Sequence, residues 1–517
     1  LVNYMNIHAV VTMRRSRELG MKKVFGASGV RIFTQLLVEN LLLIVAALLI
    51  AFWMAAALHP FVENRLGIRQ YPNFRFDSWL AFALLVLLPA TVSVAPYLKY
   101  RFFSPVRSLQ LVSTGNKSLF SRKFFLGFQY FMTVTLISVS LFFTKQLDFM
   151  LNKDLGYRTQ NIIKTPFLKK YFGSVNRSDE EWATFHAEQE KIISTLTQKL
   201  NESTLLEYWS FGDFPTNRQS LYKFTVAGKE MQTIFRGADE TWFKLFDVKL
   251  LEGRLWNNET DHTFTYNLIV SKSMLDQFGI TDYRDAEVQP FRRIWWMSGR
   301  EEEMATNPPC RIVGVVEDFH TEHLSKPLAP AVFYFSEKRG NDPVIASFAP
   351  ENRREVLRLM NDLHDELIGG EFTYSFIEDE MAKLYAEDKK VAVICTAFTG
   401  AAILISMLGL LGISLFDIRQ RRKEIAIRKV NGAQLNDVIR LLLKKYLVLL
   451  AVAFAVSLPV ALLIIYKYLE NFAYKTSVSW WLFATALLVT LAVSLLTLIY
   501  QIIKAGSENP ADVIKSE

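Results

Sequence analysis

Two runs in this sequence contain residue types that could do chemistry. Residues 115–118, GNKS, end like the phosphate-binding loop G-x-x-x-x-G-K-[ST], but the first glycine of that pattern and a strand before it are missing. The second run carries imidazoles and carboxylates, which are zinc ligands in proteins: His320, His323, Glu317, Asp318 and Glu322. It follows the apolar residues 311–316 and is typical of the end of a strand. We therefore expect no catalytic residue, no cofactor and no metal site.

A basic motif that occurs twice is the most specific pattern in the chain. Residues 17–27 read RELGMKKVFGA and residues 423–433 read KEIAIRKVNGA, 406 positions later, with five of eleven residues identical. Each copy precedes two apolar segments and a proline; Gly26 to Pro105 is 79 residues and Gly432 to Pro510 is 78. Matched spacing over this length predicts an internal duplication in which both copies cross a membrane in the same direction.

Each copy of the motif predicts a short helix that ends at a glycine. An apolar stripe runs among the basic residues, formed by Leu19, Val24 and Ala27 in one copy and by Ile425, Ile427 and Val430 in the other. Such a helix could lie on an anionic membrane surface, but an acidic residue at the same place in both copies favours a protein partner. The candidate contact residues are Arg17, Glu18, Lys22, Lys23 and Gly26, with Lys423, Glu424, Arg428, Lys429 and Gly432.

Six apolar segments, which must position these motifs, dominate the rest of the chain. They are residues 36–58, 79–98, 124–143, 391–416, 446–466 and 480–503. A helix needs about 20 residues to cross a bilayer, and each segment reaches that length. With 51% hydrophobic residues among 517 and a mean hydropathy of +0.16, the sequence predicts a membrane protein and excludes a soluble one with buried helices.

Charge separates the chain into two kinds of segment. Residues 144–390 hold 31 Lys and Arg against 40 Asp and Glu, a net charge of −9, and the remainder holds 28 against 11, a net charge of +17. The basic residues lie before the first apolar segment, between the second and third, and between the fourth and fifth. The positive-inside rule places all three of these segments, and both ends of this chain, in the cytoplasm. Basic residues beside spans indicate lipid and protein partners and not nucleic acid.

Residues 144–390 combine helical and strand patterns, which predicts an α+β domain of two lobes. The patterns give helices at 181–200 and 355–367, strands at 268–270, 311–316 and 331–335, and a solvated acidic loop at 301–303. The aromatic residues Phe291, Trp295 and Trp296 fit either a core or an exposed patch. Cys310 lies in this domain and Cys395 in an apolar segment, so no disulfide is expected.

The two basic motifs, each followed by a pair of spans and a proline, resemble the FtsX/MacB superfamily of ABC transporter permeases. GVVEDFH at 314–320, FIEDE at 376–380 and GLLG at 409–412 are also similar to that family. The resemblance covers nearly the whole chain. It implies an α-helical transmembrane bundle with six visible spans and an internal parallel repeat, joined to a MacB-like α+β extracytoplasmic domain.

The resemblance also implies a function and its partners. The chain would be a non-enzymatic permease of the bacterial inner membrane, and two copies of an ABC ATPase would hydrolyse ATP and dock on the two basic motifs. Export or extraction of a periplasmic substrate is expected, with a possible periplasmic or outer-membrane partner. The alternative is a non-transporting regulator that controls an external partner such as a cell-wall hydrolase. Relatives carry a further span and external domain, so residues 1–13 are expected to be the tail of a missing span.

These inferences give an expected division of the chain into nine parts. Residues 1–35 and 417–445 are coupling segments, 36–99 and 446–503 are span pairs, and 124–143 and 391–416 are single spans. Residues 100–123 are a cytoplasmic linker, 144–390 the external domain and 504–517 a cytoplasmic tail.

The charge distribution predicts the sidedness of these parts. Residues 14–31 and 419–445 should be inaccessible, and residues 144–390 accessible, to an impermeant thiol reagent added to intact cells. A cysteine at Asp417 should stay unlabelled, and its labelling from outside would contradict the topology.

Overall fold

The computed structural model describes residues 18, 21–22, 24–66, 74–91, 93–94, 97, 116–167, 179–216, 220–226, 229–257, 261, 267–288, 293–294, 301–302, 310–335 and 342–506. The chain divides into two compact units. The helical unit comprises Leu1–Leu147, Lys390–Leu469 and Thr476–Glu517, and the α/β unit comprises Asp148–Lys389 and Glu470–Lys475.

The elements follow one another along the described residues. The helices are α1 (Gly29–Leu66), α2 (Phe74–Phe82), α3 (Asn116–Asn152), α4 (Asp179–Glu202), α5 (Glu240–Leu245), α6 (Lys272–Phe278), α7 (Arg353–Leu367), α8 (Ile377–Leu384), α9 (Ala386–Gln420), α10 (Arg422–Val430), α11 (Leu435–Leu469) and α12 (Trp480–Gly506). The strands are β1 (Ile162–Thr165), β2 (Leu206–Phe211), β3 (Ser220–Val226), β4 (Lys229–Ala238), β5 (Leu250–Gly253), β6 (Asn267–Ser271), β7 (Glu287–Val288), β8 (Arg293–Ile294), β9 (Glu301–Glu302), β10 (Cys310–Val316), β11 (Ala331–Phe335), β12 (Val344–Phe348) and β13 (Ser375–Phe376).

The prediction of six spans is confirmed. The described helices contain six apolar stretches long enough to cross a membrane: Gly29–Asn64, Phe74–Thr91, Lys123–Asn152, Ala386–Leu415, Ile439–Leu469 and Trp480–Ile503. Several are longer than the sequence pattern indicated. With 37 residues, α3 is about 55 Å long, and it therefore extends beyond a hydrocarbon core of about 30 Å.

Helix boundaries repeat with the same spacing as the sequence motif. α1 begins at Gly29 and α11 at Leu435, and α2 begins at Phe74 and α12 at Trp480; both pairs differ by 406 positions. Three of the residues that α1 buries, Leu36, Asn40 and Ile44, correspond by this offset to buried Leu442, Tyr446 and Leu450 of α11. The duplication inferred from spacing therefore extends to helix starts and to the buried face.

Four helices and the short helix α10 share one apolar core in the helical unit. The core takes Tyr130 and Val134 from α3, Leu410 and Ile413 from α9, Ile425 from α10, Leu442 and Tyr446 from α11, and Leu498 from α12. Asp417 of α9 is only 5% exposed and accepts hydrogen bonds from Lys445 Nζ and from Tyr446 Oη at 3.0 Å. A cysteine at Asp417 would report burial and not sidedness, so exposed Val430 is the better labelling position.

The α/β unit has two lobes, as the sequence predicted. In one lobe an antiparallel sheet, ordered β13-β1-β12-β2, packs on α4 and α7. These two amphipathic helices cover the sheet with Leu196, Leu200, Met360 and Leu363, because side chains three and four positions apart lie on one helix face.

In the other lobe the sheet closes on itself. Its strand order is β5-β10-β6-β11-β4-β3-β7, and β7 also pairs with β10. Only β10–β6 and β11–β4 are parallel among these pairs. Closure leaves few strand edges open to other chains. The core includes Cys310, which is buried as predicted.

Strands β6, β10 and β11 and helices α4 and α7 lie where the sequence patterns placed them. The acidic run at 301–303 was predicted as a solvated loop, but Glu301–Glu302 pairs with Arg293–Ile294 as a short antiparallel ribbon. Phe291, Trp295 and Trp296 lie outside the described residues.

The glycine at the end of β5 allows a close approach that a side chain would prevent. Gly253 has φ +78°, and a Cβ there would stand 2.3 Å from the Val313 carbonyl oxygen. We expect Gly253→Ala to lower the free energy of unfolding by about 3 kcal/mol, from backbone strain and overpacking together. Thermal unfolding of a soluble fragment of residues 148–389, which we expect to fold cooperatively by itself, measures this.

Gly370→Ala is the matched control. Gly370 has φ +88°, but a Cβ there would have no atom within 4 Å. It should cost only the backbone strain, about 1 kcal/mol. Equal losses for the two variants would show that the β5–β10 approach is not what Gly253 provides.

Candidate coupling site

The second basic motif forms α10, which follows α9 after a tight turn. The Arg421 amide donates to the carbonyl oxygens of Asp417 and Ile418, both at 3.1 Å. The helix ends in a Schellman motif, in which Ala433 N donates to Arg428 O at 3.0 Å and Gly432 has φ +91°. Glycine occupies this position because the left-handed conformation is strained for other residues.

The first motif ends in the same way. Ala27 N donates to Lys22 O at 2.9 Å and Gly26 has φ +86°. Each of these atoms corresponds to its counterpart in α10 by the offset of 406. The glycines singled out from the sequence therefore play the same role in both copies, which is to stop the helix and turn the chain into the following span.

Each motif glutamate has a partner within its own helix. Glu18 Oε1 lies 2.8 Å from Lys22 Nζ, and Glu424 Oε1 lies 2.8 Å from an Arg428 guanidinium nitrogen. These are half-exposed pairs four residues apart, each worth about 0.3–0.5 kcal/mol. The glutamates therefore fix local side-chain positions in addition to any role toward a partner.

The apolar residues of the second motif are not all in the same environment: some are buried and others are exposed. Ile425 and Ala426 are buried in the bundle, whereas Ile427 is 54% and Val430 66% exposed. In the first motif Met21 and Val24, the counterparts of these two exposed residues, are 54% and 59% exposed. Both motifs thus present apolar side chains at equivalent positions, which suits a protein partner better than solvent.

Phe25 is the residue that the sequence interpretation missed. It is 85% exposed and directly precedes Gly26. The signal available in the sequence was a large aromatic residue beside a helix-ending glycine, away from the periodic stripe. Of the other predicted site residues, Arg17 and Lys23 lie outside the described residues, as do the side chains of Lys423 and Lys429.

A second arrangement of functional interest lies in the α/β unit, where the loop Glu470–Lys475 between α11 and α12 is held by backbone bonds. Ala473 N donates to Ser325 O at 3.0 Å, and Tyr474 N donates to Leu324 O at 3.2 Å. Lys153 Nζ lies over the Tyr474 ring, 3.6 Å from its centroid. The His320 ring packs against the same ring in an edge-to-face arrangement, with 4.5 Å between the two ring centroids. We call this arrangement the loop clamp.

The histidines considered as metal ligands serve the loop clamp and its surroundings. His323 bonds Asp388 Oδ2 through Nε2 and Ser325 Oγ through Nδ1, both at 2.8 Å. Burial, with a smaller contribution from the Lys153 charge, lowers the pKa of His320, and Asp318 opposes this shift. In the part of the chain that the structure describes, no three potential ligands come together to hold a metal ion.

Two segments of the chain match a family model described as FtsX-like permease C-terminal, at residues 1–105 and 396–510. Each matched segment contains one basic motif and the span pair that follows it. No curated protein matches the chain significantly.

Three solved structures are similar to part of this chain. The periplasmic region of MacB from Actinobacillus actinomycetemcomitans aligns with 13% identity and TM-score 0.28, over 45% of this chain and 96% of that one. The extracellular domain of the noncanonical ABC-type transporter YknZ from Gram-positive bacteria aligns with 14% identity and TM-score 0.25, over 42% and 98%. A domain of a putative permease from Porphyromonas gingivalis aligns with 17% identity and TM-score 0.24, over 34% and 74%.

The lowered pKa of His320 predicts acid sensitivity of the α/β unit. Unfolding releases His320 to its ordinary pKa of about 6.5, so the unfolded state binds a proton before the folded state does. Neutral His320 therefore makes its full contribution to the free energy of unfolding above about pH 6.5. That contribution is lost as the pH falls toward the pKa that His320 has in the folded state.

When the pH is lowered from 7.5 to 5, the unfolding temperature of the full chain should accordingly fall less in His320→Gln than in the wild type. The difference between the two proteins isolates this group from other titrating histidines. Parallel pH profiles would contradict the assignment.

Proposed function

We propose that this chain, a member of the FtsX-like permease family, couples ATP hydrolysis by an ABC ATPase to movement of its α/β unit. It is the transmembrane permease subunit of an ABC transporter in a bacterial inner membrane. ATP is hydrolysed in a separate subunit, and the work is used to export or extract a periplasmic substrate.

The burial of Ile425 is the observation that carries this proposal. Ile425 belongs to the same apolar core as residues of α3, α9, α11 and α12, while Ile427 and Val430 of the same short helix remain exposed. A partner that binds the exposed side of α10 therefore acts on a helix whose other side is packed into four spans. Close-packed interiors transmit displacement with little compression.

The chain provides continuous routes from the helical unit to the α/β unit. It passes between the two units at Leu147–Asp148, Lys389–Lys390, Leu469–Glu470 and Lys475–Thr476. Helices α3 and α9 run without interruption through the first two of these points. The loop clamp fixes the short segment between the other two. Displacement of the spans would thus reach the α/β unit through four covalent links.

We infer that two ATPase subunits dock on one permease chain. ABC ATPases work as two-fold dimers, and this chain carries two equivalent docking segments, around Glu18 and around Glu424. The positive-inside distribution of charge supports a cytoplasmic location for both segments and both ends of the chain, with residues 144–390 outside.

A groove in the α/β unit favours a polar substrate or external partner. Its volume is about 370 Å³, and it lies beside β2, the edge strand of the four-stranded sheet. Its lining includes Asn201, Glu207, Asp239 and Thr241. Such a surface offers hydrogen-bonding groups to a hydrophilic molecule such as a peptide.

The docking proposal predicts that charge on the exposed apolar positions will separate the subunits. Val24→Asp with Val430→Asp should abolish stable association with the ATPase, because a desolvated carboxylate would replace an apolar contact. Glu18→Lys and Glu424→Lys should leave folding and membrane insertion intact and reduce coupled ATP hydrolysis. Mass measurement of the purified wild-type complex should give one permease chain and two ATPase subunits.

Arg75→Gln is the control, because Arg75 is exposed on α2, outside both coupling segments. It should associate and hydrolyse ATP like the wild type. A mass with two permease chains would refute the stoichiometry. Wild-type association of the Val24→Asp/Val430→Asp protein would refute the docking faces and favour a membrane-surface role for these helices.

A further inference from the structure

A cleft of about 410 Å³ opens on the helical unit between α3, α9 and α11. Its walls are apolar, formed by Leu126, Ile413, Leu441, Val448, Leu449 and Val452. One side is closed where α3 approaches α11: a Cβ on Gly127 would stand 3.2 Å from Leu449 Cδ1. The volume lies within the range of small-molecule sites, about 300–1,000 Å³.

Three lysines border the cleft, and one of them is already neutralised. Lys445 pairs with the buried carboxylate of Asp417. Lys123 and Lys444 are exposed and form no ion pair with any residue that the structure describes. The cleft therefore combines apolar walls with two positive charges at its border that no described carboxylate neutralises.

The position of these lysines along the helices matches the depth of lipid headgroups. Lys123 is the first residue of the apolar stretch Lys123–Asn152, and Lys444 lies near the start of Ile439–Leu469. Lysines near the ends of spans reach the membrane interface, where lipid phosphates are located. The apolar walls continue from that level toward the hydrocarbon.

We propose that this cleft binds one anionic phospholipid, with its phosphate between Lys123 and Lys444 and an acyl chain against Val448 and Val452. Charge complementarity selects an anionic headgroup over a zwitterionic one. The apolar walls select a lipid over free phosphate. The proposal requires only that α3, α9 and α11 lie in a bilayer, and it does not depend on the proposed transport activity.

A lipid bound in this cleft would lie close to the start of α10 and would affect how firmly that helix is held. Asp417, which lines the cleft, is five residues before Arg422, where α10 begins. A bound lipid would hold α3 and α11 against this end of α9. The lipid composition of the membrane would then affect how firmly α10 is anchored.

The test is native mass spectrometry of the full chain in detergent, titrated with phosphatidylglycerol and with phosphatidylethanolamine of the same acyl chains. The wild type should retain one phosphatidylglycerol in preference to phosphatidylethanolamine. Lys123→Gln with Lys444→Gln should bind it roughly thirtyfold more weakly. Val448→Trp, which fills the cleft and keeps both lysines, should also weaken binding. Glycerophosphoglycerol, the headgroup without acyl chains, should not bind.

Two variants provide matched controls. Lys123→Arg with Lys444→Arg preserves the charges and should restore binding. Arg31→Gln with Arg440→Gln removes two exposed charges outside the cleft and should leave phosphatidylglycerol affinity unchanged. The proposal is wrong if the wild type binds both lipids equally, or if Val448→Trp binds phosphatidylglycerol like the wild type. It is also wrong if the lysine double variant and the arginine double variant have the same phosphatidylglycerol affinity. Protection of Lys123 and Lys444 from amine labelling by the ATPase in lipid-free detergent would instead identify a protein occupant.

Discussion

The burial of Ile425 among the spans is the contact on which the rest of the arrangement depends. A nine-residue helix is too short to be stable in isolation, so α10 exists in this position because its buried side is part of the bundle core. That core draws on α3, α9, α11 and α12 together. Under the proposed function, a partner bound to the exposed side of α10 would therefore act on the whole bundle through this contact.

Polar contacts within the bundle add directional restraint that apolar packing alone does not supply. Gln129 of α3 donates to Ile405 O at 2.6 Å, and Thr399 donates to Leu136 O at 3.2 Å, so α3 and α9 are bonded in both directions. Ser414 of α9 bonds Gln501 of α12. Lipid does not compete for these groups as water would, and such bonds contribute about 0.6 kcal/mol each in membranes. They favour movement of the helices as one body.

The α/β unit is built from two separate stretches of the chain. Asp148–Lys389 is one uninterrupted insertion, and Glu470–Lys475 comes from between the last two spans. The loop clamp holds the second stretch to the first through the backbone bonds of Ala473 and Tyr474. The loop between α11 and α12 is therefore part of the α/β unit, although the helices on either side of it belong to the bundle.

The sequence by itself determined the membrane class, the six spans and the duplication, because these depend on local composition and on spacing. Span length follows from bilayer thickness, and Gly26 and Gly432 are recognisable because a left-handed helix end requires glycine. The amphipathic helices α4 and α7 and the strands β6, β10 and β11 were predictable for the same local reason.

Only the tertiary structure determines which side chains of the two basic motifs are buried and which are exposed to solvent. The apolar stripe gave no means of separating buried Ile425 from exposed Ile427, because both are isoleucines and only contact with distant helices distinguishes them. The same holds for His320 and His323, whose partners Tyr474 and Asp388 are 154 and 65 positions away. Asp417 likewise looked like part of an exposed basic segment until Lys445 and Tyr446 of α11 were found to bury it. Contacts between residues far apart in sequence leave no periodic trace in either segment, so only the folded chain could reveal them.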